Sequence, residues 1–331
     1  MINTRILLAS RPVGLPQREN WQTETLDTGR PGEGEFLAEV LYISLDPAMR
    51  GWINEGKSYI EPVGVGDVMR AGGVARIIES RHPAFKAGDH VVGLSGVQKF
   101  WLSDGQGVTK VDPALAPLQK YLGVLGMPGM TAYFGILEIG KIREGDTVLI
   151  SGAAGAVGAV VGQIAKIKGC RVIGIAGGEE KCRYLTEELG FDGAIDYKSE
   201  SLHPAVHRLC PEGIDVYFDN VGGETLDVAL AQLRLNARVV LCGAISQYNN
   251  TAPVKGPENY LSLLINRASM QGFIVFDFAA EYAKAAHEMS QWIAEGRLQA
   301  REHIVEGLET FPETLLMLFD GRNQGKLIIR V

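Results

Sequence analysis

Cysteine is scarce: four stand in 331 residues, at Cys170, Cys182, Cys210 and Cys242, with no CxxC pair among them. So thin a supply excludes a disulfide scaffold in a chain this rich in apolar residues, and reduced thiols in the cytoplasm are the expectation. Long apolar runs are missing as well. The stretch Ile6-Leu-Leu-Ala9 is too brief for the core of a signal peptide. Thr147 to Ala165 carries no charge, but it holds four glycines, and its β-branched first half gives way to a helix-like second half. A buried strand–turn–helix fits that pattern, and a lipid-facing helix does not.

Positive charge is not in excess: 32 Lys and Arg stand against 39 Asp and Glu, a net charge of -7. Phosphate tracking needs clustered cations, so nucleic acid is not an expected partner. Metal-ligand spacing is missing too. A catalytic zinc takes three protein ligands and keeps a fourth position open, yet the first third of the chain has no cysteine to offer. His203, His207 and Cys210 come nearest. The two histidines would share a helical face, but no fourth partner is evident and Pro204 marks a helix start. A solvated helix face is the reading, and no metal is expected.

What is present is an ordinary globular composition, 46% hydrophobic and 21% charged, at a length that suggests about two domains. Residues 1–121 read as an irregular, mostly β domain, in which runs such as Phe36–Ile43 and Val74–Ile78 are broken by glycine and proline. Over 122–296 strands and helices alternate, the mark of a parallel α/β sheet. Strands are expected at Thr147–Ile150, Arg171–Ile175, Asp215–Phe218, Arg238–Leu241 and Gln271–Phe276, and a long amphipathic helix over Phe278–Leu298. Residues 297–331, ending in the strand Gly325–Val331, return to the first domain.

The sharpest local signal is Asp146-Thr-Val-Leu-Ile-Ser-Gly-Ala-Ala-Gly-Ala-Val-Gly158. A strand enters a turn in which Ala153, Gly155 and Gly158 take the three fingerprint positions of a dinucleotide-binding loop, with alanine at the first. Gly155 lets the backbone approach a pyrophosphate, and Gly158 lets the helix pack on its strand. The free amides and dipole of that helix favour an anion by some tenths to about 2 kcal/mol. The second strand ends in Ile175-Ala-Gly-Gly178 with no acid to bond a ribose 2′-hydroxyl, and Lys181 follows. Room and positive charge there favour NADPH over NADH.

Further motifs give the chain a family likeness. Gly126-Met-Pro-Gly-Met-Thr-Ala-Tyr-Phe-Gly135, Gly162-Gln-Ile-Ala-Lys166, Phe218-Asp-Asn-Val-Gly-Gly223 and Cys242-Gly-Ala-Ile-Ser-Gln-Tyr248 resemble the zinc-free prostaglandin/leukotriene reductase and curcumin reductase branch of the medium-chain dehydrogenases/reductases. Ser44-Leu-Asp-Pro-Ala-Met-Arg-Gly51 and Asn323-Gln-Gly-Lys326 match it too, so the likeness runs over nearly the whole chain. The resemblance implies a GroES-like, mostly β catalytic domain and a Rossmann domain with a doubly wound parallel sheet, with cofactor and substrate in the cleft between them, and a cytoplasmic homodimer using NADPH. Carried over by motif, Gly155, Ala156, Val157 and Gly158 hold the phosphates, and Lys181 meets the 2′-phosphate with Gly178 and Tyr197 nearby. Asn220, Cys242, Gly243, Ala244, Ile245, Ser246, Tyr248, Phe273, Ile274, Val275 and Asn323 line the rest of the groove, with Met127 and Thr131 towards the nicotinamide. Two positions depart from the pattern: relatives often carry serine where Gly178 stands, and tyrosine where Ala48 stands.

Without a metal, a hydride donor and preset hydrogen-bond donors suffice for conjugate reduction of an enone or enal, where charge collects on the carbonyl oxygen. A tyrosine suits that oxygen, because a free phenol stays protonated at neutral pH. Tyr248 and Tyr59, the latter in the loop Glu55-Gly-Lys-Ser-Tyr59, are the candidates. A quinone reductase of the same fold and a non-catalytic NADPH-binding protein are the alternatives.

Overall fold

The computed structural model describes residues 1–331. Short β-prone runs punctuated by glycine build the front of the chain: β1 (Ile2–Leu8), β2 (Trp21–Asp27), β3 (Phe36–Ser44), α1 (Met49–Trp52), β4 (Gly73–Ser80), β5 (His90–Gly93), β6 (Phe100–Ser103) and β7 (Thr109–Val111). Then come α2 (Met127–Phe134), β8 (Thr147–Ser151), α3 (Gly158–Ile167), β9 (Arg171–Ala176), α4 (Glu179–Arg183), β10 (Gly193–Asp196), α5 (Leu202–Leu209), β11 (Ile214–Asp219), α6 (Glu224–Ala231), β12 (Leu233–Leu241), α7 (Leu261–Ile265), β13 (Ser269–Gly272) and α8 (Tyr282–Ala294). β14 (Glu302–Glu306), α9 (Phe311–Asp320) and β15 (Lys326–Arg330) close the chain. It divides into two compact units: Met1–Gly123 with Glu302–Val331, and Val124–Arg301.

The first unit is built on a seven-stranded sheet of order β14-β15-β3-β4-β5-β7, with β6 paired to β3, and a β1–β2 hairpin beside it. β15 lies antiparallel to β3 and parallel to β14, so the last strand completes a sheet begun near the start of the chain. Its core gathers Ile6, Leu8, Phe36, Met49, Trp52, Leu315 and Ile329, and Phe36 meets Phe85 at 5.1 Å and Trp101 at 5.8 Å between ring centroids.

The second unit carries a six-stranded parallel sheet of order β10-β9-β8-β11-β12-β13. β8 is buried at every residue, as expected of a central strand covered by helices on both faces. From β8 the chain winds outward through β9 and β10, then restarts on the other side with β11. The strand order therefore reverses between β8 and β11, the place where open α/β sheets bind ligands at their carboxyl ends.

Four details differ from the sequence pattern. Gly193–Asp196 forms a strand too short for its alternation to register. The expected strand Gln271–Phe276 is β13, which ends at Gly272; a 3-10 turn follows over Val275–Glu281. The chain leaves the sheet because Phe278 stacks on Phe134 at 4.8 Å and the Tyr282 hydroxyl bonds the Val275 carbonyl at 3.0 Å. The expected helix Phe278–Leu298 is accordingly α8 alone. It stops before Gly296 (φ 70°), where the Arg297 and Leu298 amides turn back to the Trp292 carbonyl. Residues 297–301 stay with the second unit, because Leu298 enters its core and Arg301 pairs with Glu188 at 2.8 Å. No helix is long and apolar enough to cross a membrane.

Candidate functional site

β8 delivers the chain into Gly152-Ala-Ala-Gly-Ala-Val-Gly158 at the point of strand reversal. The turn is tight. The Ala153 amide bonds the Ile175 carbonyl and the Gly155 amide bonds the Gly152 carbonyl, both at 3.0 Å. A Cβ on Gly158 would stand 2.5 Å from the Gly152 carbonyl oxygen, and one on Gly155 would stand 3.2 Å from it. Gly158 thus requires glycine for close backbone approach, and Gly155 leaves little room for anything larger. The amides of Ala156, Val157 and Gly158, at the head of the ten-residue α3, have no acceptor in the protein. Three unspent main-chain donors on the positive end of a helix fit a pyrophosphate.

A buried carboxylate organises the neighbouring strand end. Asp219 Oδ1 accepts hydrogen bonds from the Ser151 and Tyr217 hydroxyls, both at 2.8 Å, and from the Val221 and Gly222 amides at 3.0 and 2.9 Å. Burial, then the Asp219 charge, pushes the Tyr217 phenol well up. Asn220 joins the strands: its amide nitrogen donates to the Ser151 carbonyl at 2.7 Å and its backbone N–H to Ser151 Oγ at 2.9 Å. The Cys242–Tyr248 segment hangs from the same residues. Cys242 and Gly243 donate to the Asp219 carbonyl, Ile245 donates to that of Asn220, and Ser246 Oγ donates to that of Val221 at 2.6 Å. The Tyr248 hydroxyl accepts the Ala244 amide at 3.1 Å, lying over its own turn. Desolvation, helped by Asp219, pushes the Cys242 thiol up to about 12, so it is not a nucleophile at neutral pH.

At the far end of β9, Gly177 and Gly178 lead into α4. A Cβ on Gly177 would meet the Tyr197 ring at 2.9 Å, so Tyr197 lies against the glycine pair, half exposed. Lys181 follows in α4. The sequence pattern missed Asp196. Its Oδ1 accepts the Gly178 amide at 2.7 Å and the Lys198 amide at 3.0 Å. The Gly178 bond above all holds this carboxyl below the usual range. The signal that could have found it is the acid closing the short Gly193-Ala-Ile-Asp196 run.

The remaining candidates are placed as follows. On α2 the Thr131 hydroxyl donates to the Met127 carbonyl at 2.8 Å. Phe273 packs where a Cβ on Gly135 would lie 2.6 Å from its ring, Ile274 is half-buried, and Val275 is buried beside it. The structure thus gathers Gly155 to Gly158, Asn220 and the Cys242–Tyr248 turn around the strand reversal, with Gly178, Lys181 and Tyr197 at the neighbouring strand ends. Tyr59 and Asn323 belong to the first unit. Asn323 caps the approach to β15 through a 2.9 Å bond to the Gly325 carbonyl. Tyr59, half exposed, accepts the Trp52 indole N–H at 2.8 Å. On α5 His203 and His207 are exposed, while Cys210, just past its end, is buried. No three His, Cys, Asp or Glu side chains come together to hold an ion, so the residues present do not fit a zinc site.

Known proteins share this arrangement. Residues 4–111 match a family described as the N-terminal domain of oxidoreductase, and residues 156–292 one described as zinc-binding dehydrogenase. The chain is 45% identical to the NADPH-dependent curcumin reductase of Escherichia coli (strain K12), over 99% of this chain and 97% of that protein. It is 39% identical to a 2-alkenal reductase (NADP(+)-dependent) of Nicotiana tabacum, over 99% and 97%. The crystal structure of CurA in complex with NADPH from Vibrio vulnificus superposes with a TM-score of 0.95 at 45% identity, covering 99% of each chain.

Proposed function

Because the chain belongs to the NADPH-dependent curcumin, prostaglandin and 2-alkenal reductase branch of the medium-chain dehydrogenases/reductases, we propose that it reduces the activated C=C bond of α,β-unsaturated ketones and aldehydes with NADPH. The observation that carries this is the glycine turn at the strand reversal, with three unspent amides at the head of α3.

Ala156, Val157 and Gly158 would hold the cofactor's phosphates, with Gly155 cleared of a side chain, and Lys181 and Tyr197 would serve its 2′-phosphate end. Asn220 and the Cys242–Tyr248 turn, both fastened to Asp219 and its neighbours, keep the carboxyl ends of the strands rigid around the dinucleotide. When bound, NADPH supplies a hydride to the β-carbon of the substrate. Tyr59 donates a hydrogen bond to the carbonyl oxygen, where negative charge develops, and the α-carbon takes a proton from water. The net change adds one hydride and one proton across C=C. Tyr248, whose hydroxyl takes up the Ala244 amide, shapes the cofactor turn and is the second candidate donor.

The finer assignments are a cytoplasmic homodimer. Four unpaired thiols suit a reducing compartment. β13 is the unpaired edge of the six-stranded sheet, and beside it Tyr260, Leu261, Leu264 and Ile265 are all more than half exposed, an apolar surface that suits a second copy.

NADPH consumption is measured with a 2-alkenal, an aryl enone and a benzoquinone, with the product identified by mass spectrometry. Saturated aldehyde and ketone are expected, NADPH is preferred to NADH, and Tyr59→Phe lowers kcat more than Tyr248→Phe. Turnover of the quinone alone would sink the assignment.

A further inference from the structure

The loop that carries Tyr59 is held at its neck. It leaves α1 after Trp52 and returns at Val63, whose amide bonds the Trp52 carbonyl at 2.8 Å. Arg11 spans the same neck, its Nη1 bonding the Ile53 carbonyl at 2.8 Å and the Val63 carbonyl at 3.1 Å. Between these points the chain is polar and glycine-containing, Asn54-Glu-Gly-Lys-Ser58, and free of regular structure. A loop closed at the neck and without regular structure beyond it does not by its backbone alone fix the direction of its tyrosine hydroxyl.

Trp52 restricts that direction at the hydroxyl. Trp52 is 4% exposed and sits in the core of the first unit, whereas Tyr59 is 50% exposed. The indole Nε1–H donates to the Tyr59 hydroxyl oxygen at 2.8 Å. On the other side, the Arg70 guanidinium stands over the Trp52 ring, 5.9 Å from its centroid, and Arg70 Nη1 is buried without a hydrogen-bond partner.

Resting on Tyr59 as the donor proposed above, we infer that Trp52 is a positioning residue that aims and strengthens the Tyr59 hydroxyl for the substrate oxygen. A phenol oxygen has one proton to give and two lone pairs. With one lone pair taken by an indole fixed in the core, the O–H is confined to directions away from Trp52. Accepting one hydrogen bond also strengthens the bond that the same hydroxyl donates. The cation over the indole face draws electron density from the ring and makes its N–H the better donor. Preorganisation of this kind acts where charge develops in the transition state, so it raises kcat more than it tightens binding.

The test is a double-mutant cycle on NADPH-dependent reduction of an aryl enone. Removing a preset donor costs about 100-fold or more in kcat in comparable sites, and Tyr59→Phe is expected to do so. Trp52→Phe keeps a ring but removes the N–H; it is expected to lower kcat about tenfold with the KM for NADPH unchanged, and to cost nothing further in the Tyr59→Phe background. Unchanged kcat in Trp52→Phe, or equal losses in both backgrounds, overturns the inference while leaving Tyr59 as donor. Full activity of Tyr59→Phe removes the donor and the inference together. Because Trp52 is buried, a second reading uses Tyr59→Phe, a change at a half-exposed site. In protein labelled with 15N at its four tryptophans, one indole N–H resonance is expected to move upfield and exchange faster with solvent than in the wild type. Four unmoved resonances would also overturn the inference.

Discussion

Asp196 illustrates how a single carboxylate can set the glycine loop that follows β9. Its Oδ1 fixes the Gly178 amide, and with it the path from β9 into α4. Its folded pKa is lowered, so the link is complete above the ordinary Asp value near 3.9 and is lost only as pH falls through the lowered one. Asp196→Ala should therefore weaken NADPH binding about tenfold, within what a charge-assisted hydrogen bond is worth. That ratio should stay constant from pH 5 to 8, while Asp196→Asn, which keeps an acceptor, stays near wild type; quenching titrations with NADPH read both. The glycine turn between β8 and α3 was legible in sequence because glycine, strand and helix signals coincide over a dozen residues. Asp196 and Trp52 were not, because each works through a partner 18 or 7 residues away that only the folded chain brings close.

Among the elements, β15 depends on a buried pair. Lys326 Nζ bonds the Leu45 carbonyl and Asp46 Oδ1, both at 2.7 Å, and Ser44 Oγ donates to the other Asp46 oxygen. Burial draws the Lys326 pKa down and the Asp46 charge opposes that. Lys326→Met leaves the Asp46 carboxylate buried and unpaired, at a cost of about 3–5 kcal/mol. Urea unfolding should show that loss, and Lys326→Met with Asp46→Asn should recover part of it. Both residues lie in motifs singled out from sequence, Ser44–Gly51 and Asn323–Lys326, but their pairing was invisible across 280 positions. The strands of the second unit were legible where they are long and β-branched. β10 was not, being four residues long, and the end of β13 was misplaced because Phe273 to Phe276 are β-prone by type, yet Phe273 packs over Gly135 and Phe278 stacks on Phe134.

At the scale of the molecule, the homodimer proposed above would meet along the free edge at β13 and the apolar face of α7. Leu264 is 75% exposed, more than any other large apolar residue of that face. Leu264→Glu would set two like charges against each other across a two-fold contact. Light scattering after size exclusion is expected to move from two chains to one, and an unchanged mass would count against this face. The order of strands in the first unit bears on biosynthesis. β3 and β14 are joined through β15, which follows both in the sequence. On the ribosome, the Rossmann unit is complete once Arg301 has emerged, while the GroES-like sheet still lacks β15, and the Tyr42–Ser44 edge of β3 stays open until Lys326–Arg330 follow. Newborn chains halted short of Gly325 would then hold a finished dinucleotide fold and an open β edge, the form that chaperones and degradation machinery should recognise.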